Sequence, residues 1–218
     1  DNNVAVGSNA LVAVTTGSDN IAIGYQTMDA MQVGQDNIAI GRASMGNANH
    51  EDADSNIVIG VYAGDAFGTN AVAGTVLIGR EAGSEINHTD ASNTVAVGRL
   101  ALTALTSGAN NVAVGFESGK VLTTGVQNTL LGYRSGFDLS EGGRNTAVGY
   151  LAFGGALDAN GDESFDNTFV GTGAGSGAWV TGVSNKNTAV GSQTMIGAMN
   201  GALDNTAVGY GALTALTT

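Results

Sequence analysis

The sequence has no cysteine and no proline, and only 7 Lys and Arg stand against 19 Asp and Glu. Absence of cysteine excludes disulfide scaffolds, thiolate metal sites and cysteine nucleophiles, and leaves the redox compartment open. A net charge of −12 argues against nucleic acid or an anionic membrane surface as a partner, since both require a basic patch. No apolar run is long enough to span a membrane, so membrane insertion is not expected. The chain opens on Asp1 without an initiator Met or a signal-like segment, and is read as a mature or excised piece. What the sequence does have is glycine, 35 residues in 218, enough to suggest disorder unless a longer period organises it.

Such a period exists. An aliphatic residue followed by Gly recurs at Gly7, Gly24, Gly41, Gly60, Gly79, Gly98, Gly115, Gly132, Gly149, Gly171, Gly191 and Gly209, with spacings of 17 to 22 residues. Twelve units thus cover residues 1–218 as a single repeat domain. Three residues before the Gly the position is always β-branched (Val4, Ile21, Ile38, Ile57, Val76, Val95, Val112, Thr129, Thr146, Thr168, Thr188, Thr206). Four before it stands Asn, replaced only by Thr75 and Thr94. These segments have strand composition and a period of two. Three residues after the Gly the side chain is always small (Ala10, Thr27, Ser44, Ala63, Ala82, Ala101, Ser118, Ser135, Ala152, Ala174, Thr194, Ala212), and the next is Leu, Met, Phe or Gly. An apolar residue often follows further on, as at Phe67, Ile86, Leu105, Leu122 and Leu216. A second short strand per unit fits this segment.

A strand, a Gly turn and a return loop of this size make one coil of a parallel β-solenoid, each coil bonded only to its neighbours. Twelve coils at about 4.8 Å would form a rod of roughly 58 Å. The Gly column is expected wherever a repeated turn needs positive φ or close backbone approach. The Asn column suits stacked amide ladders. A leucine-rich repeat lacks support, because neither its leucine frame nor a helix per unit is visible.

The facing of the strand carries the assembly argument. With the β-branched and aliphatic residues inside the coil, the residue between them points outward: Ala5, Ala22, Ala39, Val58, Leu77, Ala96, Ala113, Leu130, Ala147, Phe169, Ala189 and Ala207. That column contains no polar residue, so burial against other chains of a cyclic homo-oligomer is expected. A two-faced core inside a larger coil is the alternative.

Units such as Asn145-Thr146-Ala147-Val148-Gly149-Tyr150-Leu151-Ala152 and Asn205-Thr206-Ala207-Val208-Gly209-Tyr210-Gly211-Ala212-Leu213 resemble the repeats of YadA-like heads of trimeric autotransporter adhesins. They are equally similar to the N-T-A-V-G-Y-x-A-L repeats of phage tail-fibre proteins. The resemblance covers all twelve units and implies an all-β, left-handed parallel β-roll. It also implies an intertwined or side-by-side homotrimer, extracellular or on a virion, that binds a host or surface receptor, a glycan among the options. The adhesin-head repeat is shorter than these coils, which favours the shaft or head of a tail fibre. An adhesin head and an end-to-end stacking structural filament are the alternatives. Neither end carries an atypical capping unit, and the text of the last unit continues into the first in near register. An ordered window of a longer fibre chain, or stacked trimers, follows as the expectation.

Candidate chemistry is sparse, and neither catalytic, cofactor-binding nor metal-binding residues are assigned. The run Gly171-Thr172-Gly173-Ala174-Gly175-Ser176-Gly177 has a G-x-G pattern, but a dinucleotide loop needs a following helix. Gly119-Lys120 lacks the P-loop spacing and has Val121 where Ser or Thr would hold magnesium. His50, beside Glu51, Asp52 and Asp54, and His88, in the sequon Asn87-His88-Thr89, are read as exposed loop residues. The stretch Asp158-Ala159-Asn160-Gly161-Asp162-Glu163, with Asp166 following, places oxygen ligands around a Gly, yet lacks the full calcium-loop frame; a solvated acidic loop is expected. After the repeat Gly come Tyr25, Phe116, Tyr133, Tyr150 and Tyr210, with Arg42, Arg80 and Arg99. These could stack on sugars or pair with acidic glycans, but are read first as braces between neighbouring coils. Ice binding is disfavoured because the Thr column begins only at Thr129 and falls on the presumed inward face. An enzyme is not expected.

Overall fold

The structure is a computed structural model that describes residues 2–155, 163–177, 183–197 and 201–215. It forms two compact units, Asp1–Asn110 and Asn111–Thr218. The first holds β1 Val4–Val6, β2 Ile21–Ile23, β3 Ile38–Ile40, β4 Ile57–Ile59, β5 Val76–Ile78 and β6 Val95–Val97. The second holds β7 Val112–Val114, β8 Thr129–Leu131, β9 Thr146–Val148, β10 Thr168–Val170, β11 Thr188–Val190 and β12 Thr206–Val208. In each unit the strands lie in chain order, parallel and in one-to-one register, as in Ala22 opposite Ala39 and Ala39 opposite Val58. Each unit is therefore a parallel β-solenoid. Among the described residues the sole helical segment is a 3₁₀ turn, Thr89–Ala91.

The sequence places the Gly and Asn columns correctly, and the structure gives both their reasons. The repeat glycines have φ between 122° and 147°. A Cβ on Gly24 would lie 2.5 Å from the carbonyl oxygen of Gly41, and one on Gly115 would lie 2.2 Å from that of Gly132. Positive φ and close approach both apply, so neither relaxation of a side chain nor a change of rotamer would admit another residue. Within the Asn column an interior amide such as Asn37 uses every polar valence. Asn37 Nδ2 donates to Asn20 Oδ1 at 3.1 Å and to Ala53 O at 2.8 Å. Its Oδ1 accepts from the backbone N and from Nδ2 of Asn56, both at 3.0 Å. Two donors and two acceptors match the capacity of a primary amide, which a carboxylate or hydroxyl lacks. The ladder repeats through Asn128, Asn145, Asn167, Asn187 and Asn205. It is interrupted in the first unit, where Thr75 Oγ1 donates to Asn56 Oδ1 at 2.8 Å and Thr94 Oγ1 is buried with no partner.

Two expectations are corrected. The strand faces the other way: Ala22, Ala39, Val58, Leu77, Ala96, Ala113, Leu130, Ala147, Phe169 and Ala189 are fully buried inside the coils. Of the flanking residues, Val4, Val6, Ile23 and Ile57 are 37 to 55% exposed, and none of the described ones is buried. The reason is volume. The coil interior is thin, and large side chains enter it from the opposite wall: Met28, Met31, Met45, Phe67, Ile86, Leu105, Leu122 and Leu139 are all buried. Small residues on the strand side leave room for them. Where the strand residue is large, the facing position four after the repeat Gly is itself Gly. Leu77 faces Gly83, Leu130 faces Gly136 and Phe169 faces Gly175, whose added Cβ atoms would meet those side chains at 2.7 to 2.9 Å. Where the strand residue is Ala39, Ala96 or Ala147, that position is Met45, Leu102 or Phe153.

The second correction concerns the segment after the Gly, which is not a strand. Among the described residues it consists of consecutive turns, and pairing outside the named strands is limited to one isolated bridge, Asn185 with Leu203. Its second and fourth residues take left-handed φ, as at Gln26 (54°) and Met28 (50°), or Leu100 (61°) and Leu102 (49°). Coil-to-coil hydrogen bonds nevertheless continue through it: Gln26 N donates to Ser8 O at 3.0 Å and Met28 N to Ser44 O at 3.1 Å. The small third residue is buried beneath this corner, and its hydroxyl, where present, closes a carbonyl of the next coil. Ser44 Oγ donates to Val58 O at 2.9 Å and Ser135 Oγ to Ala147 O at 2.7 Å. Of the apolar positions further on, Phe67, Ile86, Leu105 and Leu122 are buried; Leu216 lies outside the described residues.

Candidate binding surfaces

The reversed facing turns two columns outward on each unit. On the first unit both are wholly aliphatic: Val4 and Val6, Ile21 and Ile23, Ile38 and Ile40, Ile57 and Ile59, Val76 and Ile78, Val95 and Val97. On the second unit one column is Val or Leu and the other is Thr from Thr129 to Thr206, below Val112. Neither face carries a charged residue. Because the pleat sends alternate side chains to opposite sides, filling the coil with the Ala column obliges the β-branched residues to meet solvent or another chain. The Thr column therefore faces outward, contrary to the expectation that set it inside.

On the post-Gly edge of the second unit the aromatics stack from coil to coil. Phe116 and Tyr133 have centroids 5.4 Å apart and Tyr133 and Tyr150 5.1 Å apart, with interplanar angles of 14° and 8°. Arg134 lies 5.4 Å above the Tyr133 ring and 4.8 Å above Phe137. Beside this stack sits Glu117, with a side chain only 6% exposed. It accepts from Lys120 Nζ at 3.0 Å and from Arg134 Nε at 2.7 Å. Burial pushes its carboxyl up, but the hydrogen bonds from Lys120 and Arg134 outweigh it and hold the group below the ordinary range. Lys120 is thus engaged in an ion pair rather than in a phosphate loop.

The remaining candidates have local roles. Arg42 bonds the hydroxyl of Tyr62 and lies over its ring, and Arg80 pairs with Glu81 at 2.6 Å. His50 and His88 each accept a backbone N–H with Nδ1, from Asp52 at 3.0 Å and Asp90 at 3.2 Å; His88 thereby caps the 3₁₀ turn. Of the acidic stretch, residues 158–162 lie outside the described residues. Asp166 is held by Arg144 at 2.6 and 3.0 Å, and the described residues contain no cluster of metal-ligating side chains. In the glycine run, Gly171 is the repeat Gly, Gly175 makes room for Phe169, and no helix follows among the described residues. The run does border a cleft of about 410 Å³, lined by Tyr150, Leu151, Thr172, Ser176, Gln193 and Ile196. Composition did not single out this cleft; its signal in the sequence is the replacement of aromatic by Thr172 and Ser192 in the post-Gly column. No helix among the described residues is long and apolar enough to cross a membrane.

No protein-family model, curated protein or solved structure matches this chain.

Proposed function

We propose that the chain is a non-enzymatic attachment protein, the shaft or head of an extracellular fibre, and that it works as a parallel homotrimer with the outward strand face turned toward the shared axis. The observation that carries the assembly is the uncharged double column from Val4 and Val6 to Val95 and Val97, made of Val and Ile alone. A contiguous aliphatic surface of this kind is a protein contact rather than a solvated face. A second copy in the same orientation supplies a surface of identical chemistry and spacing. The number three, the left-handed winding and the setting on a tail fibre or cell surface come from the repeat resemblance.

Light scattering on the purified chain tests the assembly. A mass three times 21.6 kDa is the expected result, and a stable monomer overturns it. Attachment is tested by the retention of labelled protein on host or surface preparations. Loss of retention on mixing with excess unlabelled protein is expected, and unsaturable or absent binding overturns that part of the reading.

A further inference from the structure

The aromatic stack of the second unit ends where a ligand could continue it. The post-Gly residues there run Phe116, Tyr133, Tyr150, Thr172, Ser192, Tyr210, so two hydroxyl side chains stand where rings would extend the ladder. Tyr133 covers one face of Tyr150 at 5.1 Å and 8°. The other face is turned toward the coil of Thr172, and Tyr150 is 52% exposed. The coils stay in register across this gap: Gly173 N donates to Tyr150 O and Gln193 N to Thr172 O, both at 2.8 Å. The cleft of about 410 Å³ opens at this place. At its far side Tyr210 donates from its hydroxyl to Gln193 Oε1 at 3.1 Å. That bond fixes the amide and leaves its N–H₂ to donate elsewhere. Ser176 Oγ donates to Gly173 O at 2.8 Å, so its oxygen remains an acceptor toward the cleft.

We infer that this cleft binds a neutral pyranose, stacked on the open face of Tyr150 and hydrogen-bonded through Gln193, Thr172 and Ser176. The chemistry selects the class. An open aromatic face takes the apolar C–H face of a sugar ring, while amide and hydroxyl groups address its hydroxyls. Leu151 and Ile196 supply the apolar walls usual in small-molecule sites of this volume. Among the described residues the lining contains no Lys, Arg, Asp or Glu, so neither a carboxylated nor a sulfated sugar gains a counter-charge from them. An aromatic peptide side chain would stack equally well but would leave the amide and both hydroxyls unanswered. The inference names the receptor class for the attachment reading above and rests on that reading only for its biological role.

Saturation-transfer NMR on the full chain tests it, with glucose, galactose, N-acetylglucosamine, maltose and lactose as probes. Transfer to the ring protons of at least one probe below about 10 mM is expected. In Thr172→Tyr, which extends the stack and fills the gap, and in Gln193→Ala, affinity falls roughly tenfold or more. The thermal midpoint of each variant is measured alongside, so that loss of fold is separated from loss of the site. Transfer to no neutral sugar overturns the inference. So does equal transfer in the wild type and Thr172→Tyr, or transfer confined to a tyrosine-containing tripeptide run as a further probe. Mass measured on the same samples keeps the two readings apart: a sugar-binding monomer overturns the trimer alone, and a trimer that binds no sugar overturns the cleft alone.

Discussion

The pairing of Leu130 with Gly136 offers a direct measure of which strand face is inside. Leu130 is fully buried, and a Cβ on Gly136 would stand 2.7 and 2.9 Å from its two methyl carbons. Leu130→Ala removes three carbons, worth about 2.4 kcal/mol of transfer at ~0.8 kcal/mol each, and the cavity left behind brings the cost to about 3–4 kcal/mol. Gly136→Met overfills the same space at about 1–3 kcal/mol and adds about 1 kcal/mol for a side chain at φ 60°. The double variant recreates the pairs Ala22 with Met28 and Ala39 with Met45, whose methionines already sit at φ 50°. It should cost little beyond the backbone term. A coupling free energy of at least about 2 kcal/mol is expected, against the ~0.5 kcal/mol tolerance for independent sites. Urea unfolding followed by circular dichroism measures it, with all four proteins at one concentration because the proposed assembly would contribute to apparent stability. Additive changes would refute the opposed-column packing, and three variants as stable as the wild type would return the strand to the opposite facing.

Four further outcomes are expected. Ala39→Asp, which puts an unpaired carboxylate into a fully buried column, should lower stability by at least about 3 kcal/mol. Ile40→Asp, on the outward face, should leave the circular dichroism spectrum intact and convert the assembly to monomer in light scattering. Replacing Thr75 and Thr94 together by Asn should extend the amide ladder through the first unit and remove the orphaned Thr94 hydroxyl. A gain of about 1 kcal/mol in urea unfolding is expected, and a loss would show that the hydroxyls fit better than amides. Glu117 has a lowered pKa in the folded chain, so its ion pairs stabilise fully above the unfolded pKa of roughly 4.3 and the effect fades as pH falls through the folded value. Glu117→Gln should therefore lie about 1.5–3 kcal/mol below the wild type at pH 7, with the gap closing in unfolding experiments on the acid side of that range; a gap unchanged with pH would contradict this.

The repeat, its solenoid class and the roles of Gly and Asn were legible because each rests on one position repeated many times. A glycine whose Cβ would strike the next glycine's carbonyl leaves the same mark in every unit, and so does an amide that must satisfy its neighbour. Facing was harder. Alternation establishes that Val4 and Val6 share a side and Ala5 takes the other, but both sides are apolar, and hydrophobicity alone does not rank them. Volume does, and the sequence carried that signal across two columns rather than within one: Leu77 with Gly83, Leu130 with Gly136 and Phe169 with Gly175, against Ala39 with Met45 and Ala147 with Phe153. The pair Ala113 and Gly119 is small in both columns, so the rule is strong without being universal. The turns after the Gly left no comparable trace, because Met28, Leu102 and Phe153 hold left-handed backbone that their residue types do not announce.

Reversing the strand changes what the Thr column means. Inside a coil, Thr129, Thr146, Thr168, Thr188 and Thr206 would need partners within the chain. Outside, their hydroxyls alternate with Leu131, Val148, Val170, Val190 and Val208 and form a face that water can share. The first unit's face, Val and Ile throughout, gains from leaving water over its whole extent, whereas the second unit gains only along one column and must find partners for the other. In the proposed trimer the contact made by the first unit would be dry and that made by the second hydrogen-bonded. Association would draw chiefly on the first unit. The second carries the stacked aromatics, the buried Glu117 ion pairs and the cleft on a different edge of the coil, where the proposed trimer contact through the strands would leave them accessible. On the proposed reading, assembly and recognition would use separate columns of one repeat: the β-branched pair before the Gly for joining chains, and the residue after it for meeting a ligand.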